Sequence, residues 1–214
     1  MAYNVHKITE IFEQELCEYT SSPYCCVVDS CSNALWLSMM YENVNGKEVH
    51  IPKHTYVSLP NEIILAGGKV KFYDNEPILT GKYQLSPFPI YDSALSFSGD
   101  MYKELEGNHV CLSFTGAYKH LKLGKGGAIL TDNKEAWEWF KKARNSGRND
   151  CSYHMDNFKI ISRKCYLHPM IATLGIQLLQ QFYNLNGSKK TMEDASLPYP
   201  DLSKFEIFKQ HGMS

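Results

Sequence analysis

Near the start of the chain, Ile8, Ile11, Phe12 and Leu16 recur at three- and four-residue steps. That spacing places them on one helix face and predicts an amphipathic helix over roughly residues 6–20, ended by Ser21-Ser22-Pro23. Short apolar runs then alternate with helical patterns. Strands are expected at Tyr24–Val28, Glu48–Ile51, Val70–Tyr73, Pro89–Asp92, Val110–Phe114 and Ala128–Thr131. Helices are expected at Ala34–Tyr41, at Pro60–Ala66 and from about Lys134, where Trp137, Phe140 and Ala143 share a face. A last long helical pattern runs from Pro169 to Phe182, and proline suits its first turn.

Residues 74–88 carry Pro77, Gly81 and Pro87 amid mixed polarity and read as mostly irregular. From Asn184 onward the chain is rich in Gly, Ser, Lys and Pro and reads as loosely held. The alternation of short strands with helices predicts an α/β domain whose mainly parallel sheet is flanked by helices. Residues 1–183 would form that domain and residues 184–214 a tail. In such sheets sites lie beyond the carboxyl ends of strands, where Asp29-Ser30, Asp92 and Ser113 all stand.

The chain has 214 residues, which fits one domain with or without a small appendage. Its formal charge of −1 argues against nucleic acid as the main partner, although Lys119, His120, Lys122 and Lys125 make a local basic run. Seven cysteines, an odd number with no Cys-x-x-Cys pair, disfavour a zinc ribbon and read as reduced core thiols of a cytoplasmic protein. The N-terminus shows no signal-peptide pattern, and no apolar stretch approaches the ~20 residues of a membrane span.

The densest chemistry lies between Ser113-Phe114 and Gly124-Lys125-Gly126-Gly127, with Lys119 between them. An amine, a carboxylate ending a buried run (Asp92) and a strand-to-helix turn with free N–H groups (Ser30-Cys31-Ser32) are what pyridoxal 5'-phosphate (PLP) requires. Lys119 is the candidate catalytic amine, and Asp92 the candidate partner of the pyridine nitrogen. Cys31, Ser32 and Ser113 are candidate phosphate contacts, and Tyr56 a candidate for stacking on the ring. Each has a plainer reading: a loop lysine, a turn-forming aspartate, an N-cap serine, a serine bonded to backbone, a core aromatic. The glycine run lacks the phosphate-loop pattern. No G-x-S-x-G elbow or H-E-x-x-H pair is present.

From about Phe12 to Phe182 the chain resembles the DegT/DnrJ/EryC1/StrS family of PLP-dependent sugar aminotransferases. The likeness is carried by Val28-Asp29-Ser30-Cys31-Ser32-Asn33-Ala34-Leu35, similar to the S-G-T-x-A-L phosphate turn. Pro52-Lys53-His54-Thr55-Tyr56 is similar to the P-x-x-T-[aromatic] loop, and Ile90-Tyr91-Asp92-Ser93-Ala94 to the I-x-D-A-A run. Ser113-Phe114 through Lys119 to Gly127 resembles S-F-x-x-x-K-x-L-x-x-G-E-G-G, the most specific of these motifs.

The resemblance implies an aspartate aminotransferase-like (fold type I) large domain in reduced form and a homodimer. It also implies a nucleotide-linked keto-sugar substrate and glutamate as amino donor. It puts Lys164 where Asn or Lys approaches phosphate, in a stretch that reaches the neighbouring subunit's cofactor. Departures are visible. Counting back from the glycines selects Lys119, whereas counting forward from Ser113 selects Tyr118. Leu95 stands where members carry Gln or His. The segment between Asp74 and Asp92 is too short for the expected strand and helix, and the small C-terminal domain is largely missing after Phe182. These departures favour an alternative: a non-catalytic PLP or nucleotide-sugar binding protein, or an assembly partner.

Overall fold

The computed structural model describes residues 7–116, 119–149 and 151–210. The first half runs α1 (Lys7–Thr20), β1 (Tyr24–Val28), α2 (Cys31–Tyr41), β2 (Glu48–Pro52), α3 (Ser58–Leu65), β3 (Lys69–Tyr73), β4 (Ile78–Thr80) and β5 (Tyr83–Gln84). There follow β6 (Ile90–Ser93), β7 (His109–Ser113), β8 (Gly127–Thr131), α4 (Lys134–Ala143), α5 (Pro169–Leu179), β9 (Ser196–Pro198) and α6 (Glu206–Lys209).

A five-stranded sheet of order β1-β8-β7-β6-β5 forms the centre. Its strands alternate between two buried faces, as period-two geometry demands. Cys25, Val27, Val110, Leu112, Ala128 and Leu130 pack with Phe12, Leu16 and Tyr19 of α1 and with Ala172 and Leu179 of α5. Cys26, Val28, Cys111 and Ile129 face the other way, onto α2, α3 and α4. α2 buries residues on all sides, including Leu35, Trp36, Leu37 and Met39. A helix apolar all round must lie inside, and this one is wedged between the sheet and α3 and α4.

The expectation of a mainly parallel sheet is corrected. Within the central sheet only β6 and β7 pair in parallel; β1–β8, β7–β8 and β5–β6 are antiparallel. The cause is β8, which returns directly after the Lys119 segment instead of crossing over a helix. Even so, β1, β6 and β7 share one direction, so their carboxyl ends meet at one edge of the sheet. β2 and β3 form a separate parallel ribbon. It touches the sheet's edge where His50 N–H donates to Ser86 O at 2.8 Å.

Two further expectations change. α2 begins at Cys31, three residues before the expected Ala34, because extended Ser30 caps it and accepts from the Asn33 N–H. The tail is held rather than loose. β9 pairs with β4, Ala195 N–H donates to Leu95 O, and Leu202 N–H donates to Lys53 O. Leu202 and Phe208 are buried. Apolar residues spaced among Gly, Ser and Pro supply too little periodicity to mark such a docked segment.

Candidate functional site

At the shared carboxyl edge lies a cavity of about 420 Å³. Four chain segments meet there: the β1–α2 turn (Ser30, Cys31, Ser32), the loop into α3 (Tyr56, Ser58), the end of β6 (Asp92, Ala94), and the β7–β8 connection (Ser113, Thr115, Lys119). Leu197 and Tyr199 of the tail complete the lining.

Asp92 is buried. Its Oδ1 accepts from Ala94 N–H at 2.9 Å, and its Oδ2 accepts from the Tyr83 hydroxyl at 2.7 Å. Burial pushes its carboxyl above the ordinary value; the Tyr83 and Ala94 donors and the Lys119 charge pull the other way. Lys119 Nζ donates to Ala94 O at 2.8 Å. Burial lowers the lysine's pKa, opposed by Cys31 and Asp92. Desolvation is a usual preparation of a lysine nucleophile, and here it outweighs the opposing charge of Asp92. The alternative position for that amine, Tyr118, lies outside the described residues.

Another side of the cavity is built around the N-terminus of α2. Strand β8 abuts it: a Cβ on Gly127 would lie 2.6 Å from Cys31 N and 2.8 Å from Leu112 O, so only glycine fits. The first N–H groups of α2 have no intrahelical acceptor and carry the positive end of the helix dipole. The hydroxyl of Ser32 donates to Ser58 Oγ at 2.7 Å. Ser30 is occupied in capping, accepting from Asn33 N–H and donating to Asp29. The Cys31 thiol turns toward Cys111 O at 3.7 Å, and burial raises its pKa strongly. Cys31 therefore offers its backbone to the cavity more than its sulfur.

Six of the seven sequence-selected residues, Lys119, Asp92, Tyr56, Cys31, Ser32 and Ser113, line this one cavity. Tyr56 stands at its mouth, 57% exposed, its ring 6.3 Å from that of Tyr199. Lys164 lies apart from the cavity, with Nζ 5.1 Å from the centre of the Tyr166 ring. Leu95 is buried outside the lining, and its carbonyl accepts from the tail at Ala195. Sequence reasoning missed Ser58, Thr115, Tyr83 and Tyr199. Ser58 follows directly on the Tyr56 motif and was within reach. Tyr199 arrives from the tail and has no local signal. Burial and the neighbouring Asp92, Tyr56 and Cys31 raise its hydroxyl to about 12.

The donor set fits PLP. A buried carboxylate faces the cavity for a pyridine N–H, an amine stands beside it, and helix N–H groups with hydroxyls offer a phosphate cradle that a Cβ on Gly127 would disrupt. Among the described residues no cluster of metal-ligating side chains is found. Likewise no helix there is long and apolar enough to cross a membrane.

Known proteins bear the same architecture. A putative PLP-dependent aminotransferase from Bacillus cereus superposes with a TM-score of 0.70 at 18% identity, covering 84% of this chain and 60% of that one. Helicobacter pylori PseC, an aminotransferase involved in the biosynthesis of pseudoaminic acid, superposes at 0.63 with 18% identity, covering 82% of this chain and 58% of that one. These likenesses establish the fold, that of PLP-dependent fold type I aminotransferases. In sequence, the UDP-4-amino-4,6-dideoxy-N-acetyl-beta-L-altrosamine transaminase of Campylobacter jejuni serotype O:2 is 28% identical over 183 residues, 66% of this chain and 48% of the relative. The chain thus spans about half the length of that curated relative. Residues 3–87 and 96–196 match the aminotransferase family profile, a match that skips the strand bearing Asp92 and leaves that residue to the geometry. On this match the chain belongs to the DegT/DnrJ/EryC1/StrS aminotransferase family.

Proposed function

We propose that this chain binds PLP in the Lys119–Asp92 cavity and acts as an aminotransferase on a nucleotide-linked keto-sugar, with glutamate as amino donor. The observation that carries this reading is the convergence of a buried carboxylate and a desolvated amine on one residue, Ala94, inside one cavity. The Campylobacter relative's UDP-sugar name supports the substrate class.

When bound, PLP supplies an electron sink for the carbon that loses a proton. Asp92 would accept the ring N–H, and its buried negative charge would favour the protonated ring. The N–H groups opening α2, with Ser32 and Ser113, would hold the phosphate. Tyr56 would cover the ring. Lys119 Nζ would bind the cofactor's aldehyde carbon and, once released, would take and return a proton as general base and acid. Its lowered pKa leaves more of the amine free to accept that proton.

The working unit is read as a homodimer. Exposed Tyr153, Met155, Phe158, Ile161 and Met170 suit a partner surface, and Lys164 would contribute to the partner's phosphate. All seven cysteines are free, in keeping with a cytoplasmic setting.

A second reading, a PLP-binding protein without turnover, is favoured by buried apolar Leu95 and by the tail over the cavity. Absorbance separates the two. Adding glutamate to the PLP-loaded protein should abolish its visible band if the transamination half-reaction runs. A band that persists supports the binder.

A further inference from the structure

We propose that Tyr83 is a positioning residue for Asp92: its hydroxyl, anchored by Thr55, fixes the carboxylate so that one edge faces the cavity and the ring nitrogen of PLP. This inference rests on reading the cavity as a PLP site.

Three observations carry it. First, Tyr83 and Asp92 are directly opposed across the antiparallel β5–β6 pair. Opposed residues emerge on the same face of a sheet, so the phenol reaches the carboxylate without bending either strand. The hairpin closes through Leu85 N–H to Ile90 O at 2.8 Å, which fixes the register. Second, the hydrogen bonds run in one direction. Carboxylate oxygens only accept, so the Tyr83 hydroxyl gives its proton to Asp92 Oδ2 at 2.7 Å. Its oxygen is then left to accept from Thr55 Oγ1, also at 2.7 Å. Burial raises the Tyr83 pKa far above its ordinary value, so the phenol stays a donor throughout the working pH range. Third, Tyr83 stands outside the described residues that line the cavity, whereas Asp92 lines it. The phenol therefore acts through the carboxylate.

The arrangement assigns each carboxylate oxygen one protein donor, Ala94 N–H on Oδ1 and Tyr83 on Oδ2. A carboxylate has about four acceptor positions, which leaves room for a pyridine N–H on the cavity side. Without the phenol, Oδ2 of this buried carboxylate would lose its protein donor, and the carboxyl would rotate or protonate. Tyr83 belongs to the short segment before Asp92, where the family pattern leads one to expect a longer strand and helix.

The test compares PLP with its 1-deaza analogue, which carries carbon in place of the ring nitrogen and gives Asp92 nothing to hold. Affinity is measured by fluorescence titration of the unloaded protein. Tyr83→Phe keeps the ring and so keeps the packing. It is expected to weaken PLP by about tenfold while leaving the deaza analogue's affinity unchanged. Thr55→Val should reproduce a smaller selective loss, and Thr55→Ser should restore it. Unchanged PLP affinity, equal loss of both ligands, or tighter PLP binding by Tyr83→Phe each overturn the inference. If the wild-type protein binds neither ligand, the reading of the cavity fails instead.

Discussion

Lys119 and Asp92 are joined through a single residue: the lysine amine donates to the carbonyl of Ala94, and the N–H of Ala94 donates to the aspartate. The bonds measure 2.8 and 2.9 Å, and both side chains line the same cavity. An amine from the β7–β8 connection and a carboxylate from the end of β6 thus share one support, so a change at either should be felt at the other.

Asp92→Asn tests the charge. Burial raises this carboxyl above 3.8 in the folded state. A carboxyl raised by folding favours the folded state fully below the unfolded value and loses that favour as pH rises through the folded value. In urea unfolding without ligand, wild-type stability should therefore fall relative to Asp92→Asn as pH climbs from 3.8, then level off. PLP affinity should drop in the variant. A stability difference that does not vary with pH would contradict the buried-charge account.

Gly127→Ala should displace the N-terminus of α2, where the phosphate is proposed to bind. The added methyl would meet Cys31 N and Leu112 O, both backbone atoms that cannot swing aside. Destabilisation of about 1–3 kcal/mol is expected in chemical denaturation, with phosphate-dependent ligand binding weakened further. A variant as stable as wild type and binding equally well would show that β8 does not press on α2.

Much of this was legible in the sequence, for physical reasons. The strands around Val27, Leu112 and Ile129 are buried on both faces, so apolar runs marked them plainly. The glycines after Lys119 stood out in the sequence, but nothing there showed that Gly127 packs against the protein's own backbone at Cys31 and Leu112. The antiparallel return of β8 was not legible, because strand direction depends on where the connection goes and not on strand composition. The strand-to-helix turn at Ser30 was legible as a cap, but the helix range began three residues late, because Cys31, Ser32 and Asn33 are polar or small and add nothing to the apolar period. Tyr83 sits in a two-residue strand too short for any periodicity to show.

The tail is fastened at Asp100, whose carboxyl accepts from Lys189 Nζ at 2.7 Å and from the Ser21 hydroxyl. The Lys189 bond, then Ser21, lowers its pKa to about 2. A lowered carboxyl contributes stability above its unfolded value of 3.8, lost as pH falls toward 2. Lys189→Ala should speed hydrogen exchange at Ala195 and Tyr199 near neutral pH. In the wild-type protein the same acceleration should appear only on acidification below 3.8. Equal exchange in both proteins at neutral pH would show that the tail is held elsewhere.

Arg144 tests the support beneath the β1–α2 turn. Its guanidinium bonds Glu13 Oε1 and Val27 O, while Val27 N–H donates to the same Glu13 oxygen. Both ionic side chains are nearly buried, 12% and 8% exposed. Arg144→Leu leaves an unpaired buried carboxylate and should cost about 3–5 kcal/mol. Adding Glu13→Gln should recover part of that loss in a double-mutant cycle. If the double variant is no better than the single, the pair is not the source of the effect.

The most direct measurement is borohydride reduction of the protein mixed with PLP, followed by peptide mass mapping. The account predicts one stoichiometric pyridoxyl label on Lys119, absent from Lys119→Ala and weakened by Asp92→Asn. A folded wild-type protein that takes no label, or takes it mainly on another lysine, would contradict the assignment.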